Sequence, residues 1–529
     1  MLSKYKKQRI EYKLLTLAVI ASAIFFVCKV IYAGVINLPY PKEILEPSNI
    51  ALTNMFLEGR TPYSLESLSY KIPAINYEYP FLNSLLAAAI AKITGCGAVT
   101  AHFAISLTSI LISGILGYAI VRRKAVTTVS PFLAAILFMF CHWRFGYISA
   151  APDDLGLLLF ILTMFAATSP HIKNKPLVCA IGTTLCFYTK QYFVFVAIGI
   201  LIYMFLYSKK EALEFLVITL AINAAIAFLI TYFWPVYWLR AFLFMYLGTI
   251  VGGGSQIATL IEQFRYIVVM FAALFAILIF SASMAVARLI KNNKKLREAV
   301  KIEKNDVFAM HVVQTIVMLI PLFIMGRNDG AFLSYFLQLW IPSVAVVTLL
   351  SFERFKPVKH ELAYVAVYAL IAASTIYFGL GKLPLHILTQ EEIADWEKAY
   401  KYTRAYSEEG TIFYSRSLAY DGFARGNGQW QCGNEGDVNH RTIDRLTEGG
   451  ITVSEDGWTQ QLVDGNQYFR KKIERKAKSH GYALITFETF DDGYVFTEPY
   501  CDRIGYKCLD RLNLRVGNMP YEVCFYIPK

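Results

Sequence analysis

Long, almost uncharged apolar blocks recur along this 529-residue chain, and they constrain its fold more than any other feature. Each runs for about 18 to 25 residues, enough for a helix to cross the roughly 30 Å hydrocarbon core of a bilayer. Only helices and closed barrels satisfy every backbone polar group in lipid, and these blocks lack the period-two alternation of barrel strands. The expectation is an all-α polytopic membrane domain. A composition of 56% hydrophobic and 17% charged residues agrees, being too apolar for a soluble globular protein of this size.

The formal charge of +12 does not point to nucleic acid, because the basic residues sit in short loops between blocks rather than along one stripe. They serve instead to orient the helices. Lys4, Lys6, Lys7 and Arg9 precede a first crossing from Leu14 to Val35, which is longer than a signal-peptide core and places the N-terminus in the cytoplasm. A polar first external loop, Asn37 to Pro80, follows, and Phe81 to Ile93 is short enough to be re-entrant or interfacial. Further crossings are expected at Ala101–Val121, Val129–Tyr147 and Leu155–Thr168, two within Pro176–Tyr207 broken near Lys190, and one at Phe215–Trp234. The last four are Ile267–Ala287, Val307–Met325, Phe332–Leu350 and Leu362–Leu380. With about eleven crossings every basic cluster, including Arg288 to Lys304, falls on the cytoplasmic side, as the positive-inside rule requires.

This register divides the chain into a membrane domain, residues 1–380, and an extracytoplasmic C-terminal domain, residues 381–529. The tail has strand-like runs at Ala483–Phe487 and Val523–Pro528 and a helical run at Gln467–Lys478, which together indicate a small α+β domain. Its Cys432, Cys501, Cys508 and Cys524 permit one or two disulfides if the tail is exported. Cysteines in the apolar blocks read as small core residues.

Ionisable groups at membrane depth are costly unless they face a cavity or a partner, so those flanking the blocks are the functional candidates. They are Glu43 and Glu46 in the first loop, Asp153 and Asp154 in the second, Lys190 with Gln191 at the broken span, and Arg327, Asn328 and Asp329 before the tenth crossing. For Glu43 the plainer reading is a solvated loop carboxylate. Aromatics make up 15% of the chain; Tyr63, Tyr77 and Tyr79 are candidates for stacking on a sugar, whereas Trp234, Tyr237 and Trp238 read as an interfacial belt. Gly252-Gly253-Gly254 lacks the strand and helix of a phosphate loop and reads as a turn.

In order along the chain stand Glu46-Pro47, then Leu57-Glu58-Gly59-Arg60-Thr61-Pro62-Tyr63, then Tyr77-Glu78-Tyr79-Pro80-Phe81-Leu82. This order resembles the first external loop of membrane glycosyltransferases of the type C (GT-C) fold, with Phe81 where that family has a second proline. Ala151-Pro152-Asp153-Asp154-Leu155-Gly156 is similar to their second external loop, Thr189-Lys190-Gln191 to their Thr-Lys-Gln motif, and Gly326-Arg327-Asn328-Asp329-Gly330 with Tyr335 to a late Gly-rich segment. The resemblance spans about the first 350 residues and is to the superfamily that includes protein O-mannosyltransferases and the lipid A aminoarabinose transferase; it does not reach the tail.

The resemblance implies a polyprenyl-phosphate-linked sugar donor and a glycan, lipid or protein acceptor in the cell envelope, among membrane lipids and without nucleic acid. Glu46 would be the general base, Asp153 would orient the acceptor or a metal, and Lys190, Gln191 and Arg327 would hold the donor phosphate. Asp154, Tyr63, Tyr77, Tyr79 and Tyr335 would contact acceptor or sugar. No cofactor is certain from the resemblance, which leaves a divalent cation open. A transporter or flippase of a lipid-linked or polar solute is the alternative; it would favour charges at mid-helix, whereas these acids are expected in loops. A surface-polysaccharide polymerase or ligase ranks third, since only Arg327 stands in the late loop where such enzymes carry several Arg and His.

Overall fold

A computed structural model describes residues 10–42, 46–64, 79–142, 150–238, 241–242, 257–291, 302–327, 335–354, 361–377, 386–418, 428–430, 473–489 and 496–529. The chain is a helical bundle followed by a smaller α+β unit. Helix α1 (Ile10–Val35) is a nearly unbroken apolar run, and the last carbonyls of its final turn are taken up by a buried lysine: Lys42 Nζ donates to Ala33 O at 2.6 Å and Gly34 O at 2.9 Å. This supplies donors to carbonyls at a helix end that have no partner within the helix. The same ammonium lies 4.1 Å from the Phe103 ring centroid.

Short helices α2 (Glu46–Leu57) and α3 (Leu82–Thr94) follow, then the long α4 (Ala98–Arg122), α5 (Val129–Cys141), α6 (Asp153–Thr168) and α7 (Lys175–Thr189). Helix α7 starts where Asn174 caps the Leu177 N–H and Pro176 occupies the first turn, and it stops at Lys190, whose backbone is extended. A single 3-10 turn, Gln191–Val194, leads into α8 (Phe195–Tyr207), so the break expected near Lys190 is present. Next come α9 (Lys209–Phe233), α10 (Ile257–Met270), α11 (Ala272–Lys291), α12 (Val307–Val317), α13 (Leu319–Met325), α14 (Ile341–Arg354) and α15 (Glu361–Ile376).

Among the described residues, five helical stretches are long and apolar enough to cross a membrane, or six if the bent pair α10 and α11 is one span. The span expected at Ile267–Ala287 is corrected by that pair: the chain turns through 89° near Phe271. Helix α3 has 13 residues, about 20 Å at 1.5 Å per residue, too short to cross and in keeping with a re-entrant or interfacial segment.

The far end of the bundle from Asp153 is closed by one carboxylate. Glu353, 8% exposed, accepts from the Val126 N–H, from the Thr127 N–H at 3.2 Å and hydroxyl at 2.5 Å, and from the Ser130 hydroxyl at 2.6 Å. It thereby ties the turn before α5 to the end of α14 and satisfies donors that would otherwise be buried unpaired.

The C-terminal unit starts with α16 (Gln390–Glu409), held at its start by a capping box between Thr389 and Glu392. Its strands are β1 (Ile412–Tyr414), β2 (Gly428–Trp430), β3 (Leu484–Glu488), β4 (Tyr506–Val516) and β5 (Met519–Pro528), in sheet order β2-β1-β3-β5-β4. The first three run parallel, and β5 pairs antiparallel with both β3 and β4. A short helix, α17 (Glu498–Arg503), leads into β4. Strands fall on both runs expected for them, and residues 473–478 are helical, the described part of the helix expected from Gln467. The disulfide expectation is corrected for three of the four cysteines: Cys501, Cys508 and Cys524 are free, and Cys432 lies outside the described residues.

This unit sits on the Asp153 end of the bundle. Asn37 donates to His386 O at 2.8 Å and accepts from the Leu388 N–H at 3.0 Å, and Tyr40 stacks on Tyr400 with centroids 6.0 Å apart. One core joins Met55, Tyr63 and Tyr188 to Trp396, Tyr414 and Leu514.

Candidate active site

The site forms where α6 begins and α7 ends. Asp153 and Asp154 occupy the first turn of α6, where partial positive charge at a helix N-terminus favours carboxylates. Sequence reasoning expects them in a loop; the structure corrects this, and both are buried at 4% and 6% exposure. The extended backbone at Lys190 turns its side chain toward α6, and Lys190 Nζ lies 2.6 Å from Asp153 Oδ2. A glycine permits this approach: a Cβ on Gly156, one turn into α6, would lie 2.2 Å from the Phe193 ring, which follows the break. Burial of an ion pair demands that the remaining lone pairs be satisfied. Tyr192 does this, donating to Asp153 Oδ1 at 2.9 Å, with the Gln338 side-chain amide 2.6 Å from the same hydroxyl.

Aromatic rings wall the pair. The Lys190 ammonium is 4.8 Å from the Tyr79 ring centroid and 4.9 Å from that of Tyr192, favourable cation–π distances. Tyr335 stands edge-on to Tyr192 with centroids 4.6 Å apart. Gln191 donates to Ala241 O at 2.5 Å and so ties the break to the segment after α9. Behind Tyr79, Tyr63 is fully buried, donates to Tyr79 O at 3.3 Å, and packs on Trp234 at 5.4 Å and Tyr237 at 5.0 Å. Trp234, Tyr237 and Trp238, expected as an interfacial belt, instead form a packed cluster with Tyr63, Phe81 and Phe242.

Asp154 turns the other way. His142 Nδ1 lies 3.0 Å from Asp154 Oδ1, and His142 Nε2 lies 2.8 Å from Ser113 Oγ. The order Ser-His-Asp has the spacing of a nucleophile relay. However, Ser113 is fully buried in the middle of α4, so its hydroxyl has no approach for a substrate, and the set serves to fix the start of α6. A parallel set fixes α2: Thr53 Oγ1 lies 2.7 Å from His102 Nε2, and Asn83 lies 3.3 Å from His102 Nδ1.

The remaining expected residues are less assembled. Glu46 is the first residue of α2, and its side chain lies outside the described residues, as do Glu43, Tyr77, Asn328 and Asp329. Arg327 is half-buried with its guanidinium 4.2 Å from the Phe323 ring centroid, and its Nε has no hydrogen-bond partner among the described residues. The structure thus gathers Asp153, Lys190, Tyr79 and Tyr335, with Gln191 adjacent. It adds Tyr192 and Gln338, which sequence reasoning missed. Their signals were slight: Tyr192 stands two residues past Lys190 at the break, and Gln338 is a lone amide in the apolar run Phe336–Trp340. Asp153 has one oxygen on Lys190 and the other on Tyr192, which makes it the centre of an ion-pair network.

No protein-family model and no curated relative matches the sequence. Solved structures do match. ArnT from Cupriavidus metallidurans bound to undecaprenyl phosphate aligns with a TM-score of 0.53 at 11% identity, over 96% of this chain and 97% of that one. The arabinofuranosyltransferase AftD from Mycobacteria aligns with a TM-score of 0.53 at 10% identity, over 96% of this chain and 40% of that one. The archaeal oligosaccharyltransferase AglB from Archaeoglobus fulgidus, in complex with an inhibitory peptide and a dolichol-phosphate, aligns with a TM-score of 0.50 at 12% identity, over 91% of this chain and 70% of that one. At such identities the likeness is one of fold, and it defines the class: this is a membrane protein with the GT-C fold of membrane glycosyltransferases.

Proposed function

We propose that the chain is an inverting glycosyltransferase that moves a sugar from a polyprenyl-phosphate donor to an acceptor hydroxyl at the outer face of the cytoplasmic membrane. The observation that carries this reading is the buried Asp153–Lys190–Tyr192 network at a helix break, in a GT-C fold whose solved examples include complexes with undecaprenyl phosphate and dolichol-phosphate. The proposal includes about eleven crossings, the tail on the outer face, and cell-envelope glycan or glycolipid modification as the purpose.

In this reading Glu46 takes the proton of the acceptor hydroxyl as its oxygen attacks the anomeric carbon. The bond from that carbon to the phosphate oxygen breaks with inversion, and polyprenyl phosphate leaves with the electron pair. General-base help of this kind is worth about 10²–10⁴-fold. Charge grows on the leaving phosphate, so cations placed beforehand lower the barrier. Lys190 is one, its ammonium held at the helix break by Asp153. Arg327 is the second, able to grip two phosphate oxygens. Asp153 holds Lys190 toward the phosphate, and Tyr79 and Tyr335 shape the acceptor side; Tyr63 supports Tyr79 from behind, and Asp154 acts through His142 to fix the start of α6.

A carrier of lipid-linked solutes is the second reading, favoured by the 89° bend between α10 and α11 and by the break at Lys190, since carriers use discontinuous helices. One experiment separates the two: purified protein is given radiolabelled polyprenyl-phosphate sugars, and released polyprenyl phosphate is measured for the parent, Glu46→Gln and Asp153→Asn. A transferase loses turnover in Glu46→Gln and keeps lipid binding. If a panel of donors is neither bound nor consumed by the parent, the transferase reading fails.

A further inference from the structure

The C-terminal unit carries chemistry that the proposed reaction does not use. There the end of the 473–478 helix, α17 and the turn at Gly505 enclose an open depression of about 800 Å³ lined by Lys478, His480, Tyr500, Arg503, Ile504 and Gly505. Small-ligand sites span about 300–1,000 Å³. The backbone is shaped for it: His480 and Gly505 both have left-handed conformations, with φ of 54° and 86°. A Cβ at position 505 would lie 2.7 Å from His480 Nε2, so glycine is what lets the imidazole seat there, 3.0 Å from the Ile504 carbonyl to which it donates.

The depression is basic. Lys478 and Arg503 are exposed, and neither has a carboxylate partner among the described residues, where the ion pairs of this unit use Lys398, Arg511, Arg515 and His386 instead. The Arg503 guanidinium lies 5.6 Å from the Tyr500 ring centroid, and the buried Tyr500 hydroxyl has no hydrogen-bond partner among the described residues. Glu474 is the acid whose field reaches Tyr500. His480 also borders an adjoining depression of about 510 Å³, whose walls include half-exposed Tyr406 and exposed Glu409.

We propose that these joined depressions bind an acidic saccharide, its carboxylate or phosphate held between Lys478 and Arg503 and its ring lying toward Tyr406 and Glu409. A guanidinium grips a planar or tetrahedral oxyanion through two N–H donors, an aromatic face takes the apolar face of a pyranose, and a carboxylate accepts from sugar hydroxyls. The oxyanion also supplies the acceptor that the Tyr500 hydroxyl lacks. The site is separate from the proposed catalytic centre, so Glu46→Gln binds the saccharide as the parent does.

The test is calorimetric titration of the full chain in detergent with glucuronate, glucose phosphate, inorganic phosphate and glucose. Glucuronate and glucose phosphate are expected to bind more tightly than inorganic phosphate, weakening as ionic strength rises, and glucose is expected not to bind. The exposed double change Lys478→Gln with Arg503→Gln should weaken binding by about tenfold or more, the loss of charge-assisted hydrogen bonds, and Tyr500→Phe by a smaller factor. Equal binding of glucose and glucuronate by the parent would overturn the anionic assignment. Inorganic phosphate binding as tightly as glucose phosphate would overturn the saccharide. Unchanged binding in the double variant, or none in the parent, would sink the site.

Discussion

Replacing Lys190 by Met removes one half of a buried ion pair and leaves the other in place. The ammonium and the Asp153 carboxylate are 2.6 Å apart and each side chain is 5% exposed. At that separation and an effective dielectric of about 20, the attraction is about 6 kcal/mol before desolvation is subtracted. Desolvation cancels much of this in the intact pair, but Lys190→Met leaves a buried Asp153 carboxylate without its cation, and such single losses cost about 3–5 kcal/mol. Asp153→Asn should cost less, because the ammonium keeps the Tyr79 and Tyr192 ring faces. The double variant should recover a large part of the loss, giving a coupling of about 2–3 kcal/mol in a double-mutant cycle of chemical unfolding in detergent. Turnover should respond differently. If Lys190 stabilises a leaving phosphate, the double variant stays inactive although its stability returns. Additive single and double effects within about 0.5 kcal/mol would show that the two groups do not interact, and the site as drawn would be wrong.

Tyr192→Phe removes the hydroxyl that holds the second Asp153 oxygen, so turnover should fall about 10- to 100-fold with donor binding little changed, measured as kcat against KM. Glu353→Gln keeps the shape of the side chain that ties the turn before α5 to α14 but loses its charge; unfolding should become easier by about 1–3 kcal/mol while KM is unaffected, because this contact lies at the opposite end of the bundle from Asp153. Glu392 gives the C-terminal unit a pH signature. Burial would raise its pKa, but hydrogen bonds from His386, the Thr389 N–H and Arg515 outweigh this and bring it from 4.5 to about 2. A depressed carboxylate stabilises the fold above its unfolded pKa and loses that contribution as pH falls through the folded value. Stability measured from pH 5 downward should therefore drop between about 4.5 and about 2, and Glu392→Gln should flatten that part of the curve. Finally, a thiol reagent should modify exposed Cys508 in the folded protein and reach buried Cys501 and Cys524 only on unfolding; protection of Cys508 would contradict the free exposed thiol.

Much of the site was legible because its residues break local rules. Carboxylates at the edge of an apolar block and a lysine between two apolar runs are costly in lipid, which marked Asp153, Asp154 and Lys190 without any structure. That Lys190 and Asp153 meet was not legible, since they are 37 residues apart and the approach depends on Gly156 admitting the Phe193 ring. Tyr192 and Gln338 went unmarked for the opposite reason: a tyrosine and a glutamine beside aromatic and aliphatic neighbours break no rule until their partners are known. His142 and His102 are similar cases, each tied to partners on other helices.

Hydropathy alone determined that this chain is a helical membrane protein with an α+β tail, because the solvation of apolar side chains and backbone amides depends on local composition and period. The tertiary structure decided the rest: the right-angle bend between α10 and α11, the seating of the tail on the Asp153 end, and the burial of Tyr63 and Tyr237 in one cluster. These depend on contacts between distant segments. Whether a ring faces lipid, water or another ring is set by what the fold places opposite it, and composition carries no record of that.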